Sequence, residues 1–455
     1  MNRSLSAFAQ TCGGELIGAD RAYSGVSTDT RTLKAGELFV ALRGPRFNAN
    51  DFIAAAEAAG AAGAVVDKRV DRPLAQVLVR DTQTALTTSS AAWRAQFSLP
   101  VVGVAGSNGK TTVKEMSGAI LSRAGATLAT RGSLNNHIGV PLTLHRLEAA
   151  HRFAVIEIGT NHPGEVAALC QLARPTVGLI TNAGAEHLEG FGSIEGAARA
   201  EGEMLAALEP AQTAVINADD EFAPLWRGMT RARVVTFGIE GPADFSASDI
   251  HTAIDGGGFV TRFKLRAPQG EVPIELHLAG QHNVANALCA AAAACAAGAS
   301  LEDVRSGLAT MRPVPGRLQF KTAPSGAWIV DDSYNANPSS MKAGIEVLAN
   351  VDARRWLVMG DMGELGDHGL ESHQDIGRFA RNHRVDRLFA TGKLSALAVE
   401  AFGAGGEWFA DTEAMARAVN AELTREVCVL VKGSRSNRLE RVVDALTGSG
   451  ASNGH

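Results

Sequence analysis

A glycine-rich loop that ends in Gly109-Lys110-Thr111 carries the clearest chemistry in the sequence. It follows an apolar run at residues 101–105 and precedes a segment with helical spacing at residues 113–121. Glycines let the backbone curl so that several N–H groups point at phosphate oxygens, and the next helix adds its positive end. In such a loop the lysine reaches the outer phosphates and the threonine hydroxyl ligates Mg2+.

We therefore predict a nucleotide-binding loop here, because such a loop joins a buried strand to a helix. The strict consensus for such a loop has glycine at the position of Val104, so a glycine-rich turn that binds no ligand is the alternative. The predicted nucleotide-binding residues are Gly106, Ser107, Asn108, Gly109, Lys110, Thr111 and Thr112.

Two further side chains are candidates for catalysis and metal binding. Glu157 lies in an otherwise apolar run, where an unpaired carboxylate would be costly. His187 follows another apolar run on a loop that contains glycine. Phosphoryl transfer needs cations beside the phosphates and side chains that hold them. We expect Glu157 and His187 to hold Mg2+ with Thr111, beside the catalytic Lys110; a surface or satisfied core histidine is the alternative for His187.

Composition narrows the class of protein. The chain has 455 residues, a net charge of −5 and 20% charged residues, without a basic block for nucleic acid. Its five cysteines show no CxxC spacing, so neither a disulfide framework nor a zinc site is expected. The alanine-rich run at residues 285–299 is too short to span a bilayer, and the start is not a signal peptide. We expect a cytoplasmic protein.

Apolar runs alternate with helical segments throughout, which predicts an α/β fold with mostly parallel sheets. Ligands gather at the carboxyl ends of such strands, where the polar loops of this chain lie. Breaks near residues 98–100 and at the two prolines of residues 311–316 divide the chain into domains at 1–98, 99–311 and 312–455. Asn337-Pro338 is predicted to begin a helix that runs through Leu348.

With these residues in place, the chain resembles the Mur ligases over nearly its whole length. Folylpolyglutamate synthetase shares the glycine loop, whereas Asp-Ser-Tyr-Asn-Ala-Asn-Pro and Gly-Asp-Met-Gly-Glu-Leu-Gly point to the family member that adds D-alanyl-D-alanine. The resemblance rests on residues 106–112, 181–192, 280–286, 331–338, 360–366 and 431–435.

The resemblance implies a fold and a reaction. The fold would be a small UDP-binding α/β domain, a central P-loop ATPase domain and a doubly wound, Rossmann-like C-terminal domain. ATP would phosphorylate the terminal carboxylate of UDP-N-acetylmuramoyl-tripeptide, with Mg2+. The amine of D-alanyl-D-alanine would then displace phosphate from the acyl phosphate. The product would serve peptidoglycan synthesis, and with it cell shape and cell division. A monomer whose domains close around substrates is expected.

The resemblance also assigns ATP contacts beyond the glycine loop. It implies that Asn283 contacts adenine, that Arg317 contacts phosphate from the C-terminal domain, and that Asp332 lies on the side of its loop that faces ATP. The alternatives are a helix cap for Asn283, and turn caps or surface ions for Arg317 and Asp332.

Substrate contacts follow from the same resemblance. Asp29 and Arg31 match the uridine-diphosphate domain, and Asn135 and Asn136 match the loop that meets the muramoyl peptide. A departure at residues 47–52 puts fine contacts to the nucleotide sugar in doubt.

Three residues of the C-terminal domain match the region near the incoming dipeptide. Asn335 and Asn337 would lie beside D-alanyl-D-alanine, and Lys432 would meet a substrate carboxylate. An asparagine turn and a surface salt bridge are the alternatives.

One departure concerns the metal. The family's Ala-Arg-Ala-Lys-Gly-Glu becomes Ala-Arg-Ala-Glu-Gly-Glu here, so Glu201 stands in place of a lysine that becomes carbamylated and helps to hold Mg2+. A carbamylated lysine is a carboxylate on a long stem. We hypothesise that Glu201 supplies the anion directly as a metal-binding catalytic residue; a solvated helix residue is the alternative.

Two other functions compete with this one. Another amide ligase of the superfamily would add a different amino acid to a muramoyl peptide, or glutamate to folate. A nucleotide-regulated binding module would release no phosphate with any acceptor.

Overall fold

Three mostly parallel, helix-covered sheets follow one another along the chain in the computed structural model, which describes residues 3–44, 47–185, 188–255 and 257–449. The predicted α/β class with three domains is confirmed. The described residues contain no helix that is long and apolar enough to cross a membrane. All five cysteines are free thiols, as expected.

The first unit is built on a sheet of five short strands. Its elements are α1 (Leu5–Cys12), β1 (Glu15–Ile17), β2 (Val26–Ser27), β3 (Leu38–Val40), β4 (Arg43–Gly44), β5 (Phe47–Asn48), a 3-10 turn (Ala49–Phe52), α2 (Ile53–Ala58), β6 (Gly63–Val66), β7 (Gln76–Leu78) and α3 (Thr82–Arg94). The strand order is β1-β7-β6-β3-β2, with β1 antiparallel to its neighbour and the others parallel.

Helix α3 joins the first unit to the second. Ala85 and Leu86 near its start pack in the core of the first unit, whereas Trp93 near its end packs in a core of the second. Asp81 caps the helix by accepting the N–H of Thr84 at 2.6 Å. The two units therefore share a rigid element and not a loose linker.

The second unit carries a parallel sheet and the predicted glycine loop. Its elements are β8 (Val101–Ala105), α4 (Lys110–Ala124), β9 (Thr127–Ala129), α5 (Gly139–Leu144), β10 (Phe153–Glu157), α6 (Glu165–Ala173), β11 (Val177–Ile180), α7 (Leu188–Phe191), α8 (Ile194–Ala206), β12 (Thr213–Asn217), α9 (Ala223–Met229), β13 (Arg233–Phe237), β14 (Ser246–Asp255), β15 (Gly258–Ala267), β16 (Gly270–Leu276), α10 (Gln281–Ala296) and α11 (Leu301–Ala309).

Six parallel strands form its main sheet, in the order β13-β12-β11-β8-β10-β9. Side chains alternate between the two faces of a strand, so β8 contributes to two cores. Val102 and Val104 pack with α4, α10 and α11, whereas Val101 and Ala105 pack with α6 and α8. Burial on both faces explains why these strands are almost wholly apolar.

An antiparallel sheet that the sequence did not predict completes this unit. Strands β14, β15 and β16 pair in order, and Phe263, Leu265 and Ile274 pack in the same core as Met116 and Ile120 of α4. The sheet therefore covers one face of the helix that begins at the glycine loop.

The third unit is a second doubly wound sheet. Its elements are β17 (Gln319–Thr322), β18 (Trp328–Asp332), α12 (Pro338–Ala349), β19 (Arg354–Met359), a 3-10 turn (Gly366–His368), α13 (Gly369–Asn382), β20 (Arg387–Thr391), α14 (Ser395–Phe402), β21 (Gly406–Phe409), α15 (Thr412–Glu422), β22 (Val427–Lys432), a 3-10 turn (Arg435–Asn437) and α16 (Glu440–Thr447). The strand order is β17-β18-β22-β19-β20-β21, and β17 alone is antiparallel to its neighbour.

Candidate active site

A cleft of about 830 Å³ opens where the carboxyl ends of the central strands face the third unit. Both units contribute to its wall, as expected for loops at the carboxyl ends of parallel strands. The predicted site residues that line the cleft are Ser107, Asn108, Gly109, Lys110, Thr111, Thr112, Asn135, Asn136, Glu157, Asn283, Arg317, Asp332, Asn335, Asn337 and Lys432.

The glycine loop has the backbone shape that a phosphate cradle needs. Gly106 and Gly109 adopt φ of 121° and 82°, which side chains of L-residues disfavour. A Cβ on Gly106 would lie 2.1 Å from Thr181 Oγ1, and one on Gly109 would lie 2.4 Å from Asn286 Oδ1. Glycine is therefore required at both positions, and α4 begins directly at Lys110 with its N–H groups toward the cleft.

The loop after β11 supports the cradle. Asn182 accepts the N–H of Asn108 through its Oδ1 at 3.0 Å, and its backbone oxygen accepts the N–H of Ser107 at 2.9 Å. Thr181 Oγ1 donates to the backbone oxygen of Asn108 at 2.6 Å. Sequence reasoning assigned no role to Asn182, although its position directly after a buried strand beside the cradle was a usable signal.

Lys110 lies folded over the cradle. Its Nζ donates to the backbone oxygens of Gly106 and Ser107, at 2.5 and 2.9 Å. These neutral carbonyls hold the ammonium at the place where phosphate oxygens would enter. The side chain can exchange them for charged acceptors, which form stronger hydrogen bonds.

Glu157 ends β10 inside a cluster of polar groups. Its Oε1 accepts from Asn135 Nδ2 at 2.9 Å and from Thr111 Oγ1 at 3.3 Å. Its Oε2 is buried and has no hydrogen-bond partner within the part of the chain that the structure describes. A buried carboxylate oxygen without a donor is costly, so this atom fits a cation.

The donor set suits Mg2+. A carboxylate oxygen and a hydroxyl oxygen are hard ligands, and magnesium keeps several waters where the protein supplies few ligands. Among the described residues there is no cluster of three or more His, Cys, Asp and Glu side chains that could hold a metal. His187, another predicted ligand, lies outside the described residues, so its role stays a prediction.

Glu201 is buried on α8 beneath the cradle. Its Oε2 accepts the backbone N–H of Gly106 at 2.7 Å. The alternative of a solvated helix residue is therefore wrong. A role for Glu201 in metal binding stays a prediction.

Among the described residues, three side-chain hydrogen bonds cross the cleft from the third unit to the second. Arg317 Nη2 donates to Thr111 Oγ1 at 3.4 Å, and its guanidinium lies 4.6 Å from the centre of the Tyr334 ring. Asn337 Nδ2 donates to Asn108 Oδ1 at 2.8 Å. The hydroxyls of Ser133 and Tyr334 are 2.6 Å apart.

These bonds join the cradle and the loop after β9 to the third unit, at the segment before β17 and the loop after β18. Asn337 also caps α12, with Pro338 as its first residue, which confirms the predicted helix start. An asparagine turn, the alternative for Asn337, would explain the helix cap but not the hydrogen bond to Asn108.

Asp332 and Lys432 form a buried ion pair at 2.6 Å. Lys432 Nζ also donates to the backbone oxygen of Asn335 at 2.9 Å. Burial raises the pKa of Asp332, although Lys432 opposes that shift. Burial, with the charge of Lys432, lowers the pKa of His282 to about 4. The alternatives of a surface salt bridge for Lys432 and a surface ion for Asp332 are wrong.

Asn283 is the third residue of α10, and Gly280 is the N-cap. Asn283 therefore does not occupy the N-cap position, and the helix-cap alternative is wrong. Asn283 Nδ2 donates to the backbone oxygen of Ala279 at 2.7 Å, and its Oδ1 accepts from Asn286 Nδ2 at 3.1 Å. Contact with adenine stays a prediction.

The remaining predicted residues have local partners. Asn136 Oδ1 accepts the N–H groups of Ile138 and Gly139, and so fixes the start of α5.

Asp29 and Arg31 pair with each other at 2.6 Å on the loop after β2. The hydrogen bond from Arg31 lowers the pKa of Asp29 to about 2. Neither of these two is among the described residues that line the cleft.

Sequence reasoning also missed Lys114. It lies on α4 seven residues before Leu121, and both side chains are buried. A lysine on the buried face of a helix indicates a buried partner, so the signal was present in the periodicity.

Comparison with known proteins agrees with this architecture. The family model described as Mur ligase middle domain matches residues 104–294, and the model described as Mur ligase, glutamate ligase domain matches residues 316–435. The chain belongs to the Mur ligase family.

Within that family the similarity extends over the whole length of particular ligases. The UDP-N-acetylmuramoyl-tripeptide--D-alanyl-D-alanine ligase of Escherichia coli K12 is 43% identical, covering 98% of this chain and 99% of the relative. The crystal structure of MurF from Acinetobacter baumannii is 35% identical with a TM-score of 0.90, covering 98% of this chain and 99% of that one. MurF ligase from Thermotoga maritima in complex with ADP is 27% identical with a TM-score of 0.79, covering 93% and 97%.

Proposed function

We propose that the chain is an ATP-dependent amide ligase that joins D-alanyl-D-alanine to the terminal carboxylate of UDP-N-acetylmuramoyl-tripeptide. The products would be ADP, phosphate and the UDP-muramoyl pentapeptide used for peptidoglycan. The observation that carries the proposal is the cleft in which the cradle meets the third unit through the Arg317–Thr111 and Asn337–Asn108 contacts. Full-length similarity to a ligase of this name supports it.

The first step transfers the γ-phosphoryl group of ATP to the substrate carboxylate. The cradle N–H groups and the start of α4 hold the phosphates, and Lys110 moves from the Gly106 and Ser107 oxygens to the phosphate oxygens. Arg317 brings a second cation from the third unit to within 3.4 Å of the Thr111 hydroxyl. The Lys110 and Arg317 cations together stabilise the charge that is spread over the transferring group.

Magnesium would be held by Thr111 and Glu157, with His187 and Glu201 as the further predicted ligands. When bound, it would neutralise phosphate charge and polarise the phosphoryl group that is transferred. Glu157 Oε2 supports this assignment, because it is a buried anionic oxygen without a donor among the described groups.

In the second step the amine nitrogen attacks the acyl carbon, and phosphate leaves from the tetrahedral intermediate. Asn335, Asn337 and Lys432 would face the dipeptide. The Lys432 ammonium is already fixed by Asp332 and by the backbone oxygen of Asn335. It therefore presents a positioned positive charge to a substrate carboxylate.

Domain roles follow from these assignments. We assign residues 1–98 to the uridine-diphosphate end of the substrate, with Asp29 and Arg31 as contacts, residues 99–311 to ATP, and residues 312–455 to the dipeptide. Asn135 and Asn136 would meet the muramoyl peptide.

We further propose a monomer that acts in the cytoplasm, since five free thiols suit a reducing compartment.

The product tests this proposal directly. The protein is incubated with ATP, Mg2+, UDP-N-acetylmuramoyl-tripeptide and D-alanyl-D-alanine, and the UDP-linked products are analysed by mass spectrometry. We expect a single new species heavier by one dipeptide residue. Unchanged tripeptide under conditions in which the protein binds ATP would contradict the proposal.

A further inference from the structure

Lys114 is a fully buried lysine on α4 that no step of the proposed reaction uses. Its Nζ donates to the backbone oxygens of Thr130 and Gly132, at 2.9 and 3.3 Å. It also lies 2.6 Å from Glu115 Oε1. A buried ammonium needs such partners, because an uncompensated charge in the interior is strongly destabilising.

The same ammonium lies only 4.0 Å from Glu157 Oε2, yet makes no hydrogen bond to it. An ammonium has three N–H donors. Two of them meet the oxygens of Thr130 and Gly132, and the Glu115 carboxylate lies 2.6 Å from the ammonium as an ion pair. Lys114 therefore offsets charge at Glu157 while leaving this oxygen without a donor.

The other oxygen of Glu157 is fixed at the same time. Asn135 and Thr111 both donate to Oε1. The backbone of Glu157 is tied to the loop that Lys114 holds, because its N–H donates to Thr130 Oγ1 at 3.0 Å. The Glu157 carboxylate thus has one oxygen that accepts two hydrogen bonds and a second oxygen that remains available to a metal cation.

We propose that Lys114 and Glu115 are a pair of positioning residues that keep Glu157 Oε2 available to a divalent cation. The inference rests on the proposed function, in which Glu157 helps to hold Mg2+. The Glu115 carboxylate pairs with the Lys114 ammonium at 2.6 Å, so that the ammonium does not close on Oε2. Without this acceptor, Lys114 turns to Glu157 and the metal must displace it.

Glu115 is the accessible member of the pair. Its side chain is 43% exposed, whereas that of Lys114 is fully buried. Glu115→Ala removes the acceptor on a helix surface where alanine is well tolerated. Glu115→Gln is the matched control, because its amide oxygen keeps an acceptor at the same place beside Lys114.

The experiment measures ADP binding by calorimetry over a series of Mg2+ concentrations, for the full-length protein and both variants. We expect ADP affinity without metal to stay within about twofold in all three. We expect the Mg2+ concentration that gives half of the metal-dependent gain in ADP affinity to rise about tenfold in Glu115→Ala, the size of one lost contact between charged groups. Glu115→Gln should stay within about threefold, because it keeps the acceptor.

Other results overturn the inference in distinguishable ways. Equal Mg2+ dependence in Glu115→Ala and the unchanged protein would refute the pair while leaving the proposed ligase intact. Loss of ADP affinity without metal in Glu115→Ala would show that Glu115 acts on the cradle, which also refutes it. Failure of the unchanged protein to bind ADP, or to gain affinity with Mg2+, would contradict the proposed function itself.

Discussion

The carboxylate of Glu201 accepts a 2.7 Å hydrogen bond from the backbone N–H of Gly106, so α8 is tied to the first residue of the phosphate cradle. The resemblance to the Mur ligases implies that Glu201 stands where relatives carry a lysine that becomes carbamylated. Both groups present a carboxylate. Because Glu201 is buried beneath the cradle, its own side chain places a carboxylate there without carbamylation.

Replacing Glu201 with alanine should lower turnover about 10- to 100-fold, the range for losing a group that orients a metal or its ligands. Added bicarbonate should not restore activity, because alanine cannot form a carbamate. The measurement is phosphate release at saturating substrates, with and without bicarbonate. Near-normal turnover of Glu201→Ala would refute the role.

The matched variant is Glu201→Lys, which offers the amine from which a carbamate forms. We expect its activity to depend on bicarbonate. Bicarbonate-independent activity of this variant would show that no anion is needed at this position.

Gly109→Ala should weaken nucleotide binding about tenfold. The residue has φ of 82°, and an added Cβ would lie 2.4 Å from Asn286 Oδ1, so the cradle must distort. The left-handed conformation alone costs an L-residue about 1–2 kcal/mol, which is on the order of a tenfold change in affinity. ADP titration measures the effect.

Gly228→Ala is the matched control for Gly109→Ala. A Cβ at Gly228, on α9, meets no atom within 4 Å. This change should leave ADP affinity unchanged and stabilise α9 by about 0.5–1 kcal/mol. Equal effects of both substitutions on ADP affinity would contradict a specific role for the cradle backbone.

Asn337→Ala should speed amide hydrogen exchange at the start of α12 about tenfold. The side chain accepts the N–H of Ser340 at 2.8 Å, and loss of such a cap costs about 1 kcal/mol. Asn335→Ala is the control, since Asn335 is exposed and lies outside the helix. Exchange should not change there. Unchanged exchange in Asn337→Ala would refute the cap.

The pH dependence of stability should reflect His145. Burial, assisted by the charge of Arg3, lowers its pKa from 6.5 to about 3. Because the folded-state pKa is depressed, the stabilisation is complete above about pH 6.5 and is lost as pH falls toward 3. Between pH 7.5 and 5 the loss amounts to about 2 kcal/mol.

His145→Gln should therefore show a smaller loss of unfolding free energy over this range, measured by urea denaturation at both pH values. His251→Gln, at an exposed position on β14, serves as the control and should match the unchanged protein. If His145→Gln keeps the full pH dependence, other groups account for it.

Local patterns in the sequence predicted the parts of the site that one segment specifies. The strand-loop-helix around Gly109 and the asparagine cap before Pro338 depend on neighbouring residues, and both have the expected form. The apolar runs marked the central strands, because parallel strands covered on both faces are almost wholly apolar.

Long-range pairings could not be predicted in the same way. Lys114 finds acceptors 16 and 18 residues away, and Glu201 meets Gly106 across 95 residues. The antiparallel sheet of β14 to β16 was also missed, since its alternating pattern does not show which core it covers. Such features depend on how elements pack and not on their own residues.

The central claim is tested most directly by acceptor-dependent phosphate release. ATP, Mg2+ and UDP-N-acetylmuramoyl-tripeptide are supplied with D-alanyl-D-alanine, with single amino acids, or with glutamate and folate in place of the tripeptide. We predict release that requires the tripeptide and D-alanyl-D-alanine together. Equal or faster release with another acceptor pair, or no release with any, would contradict the account.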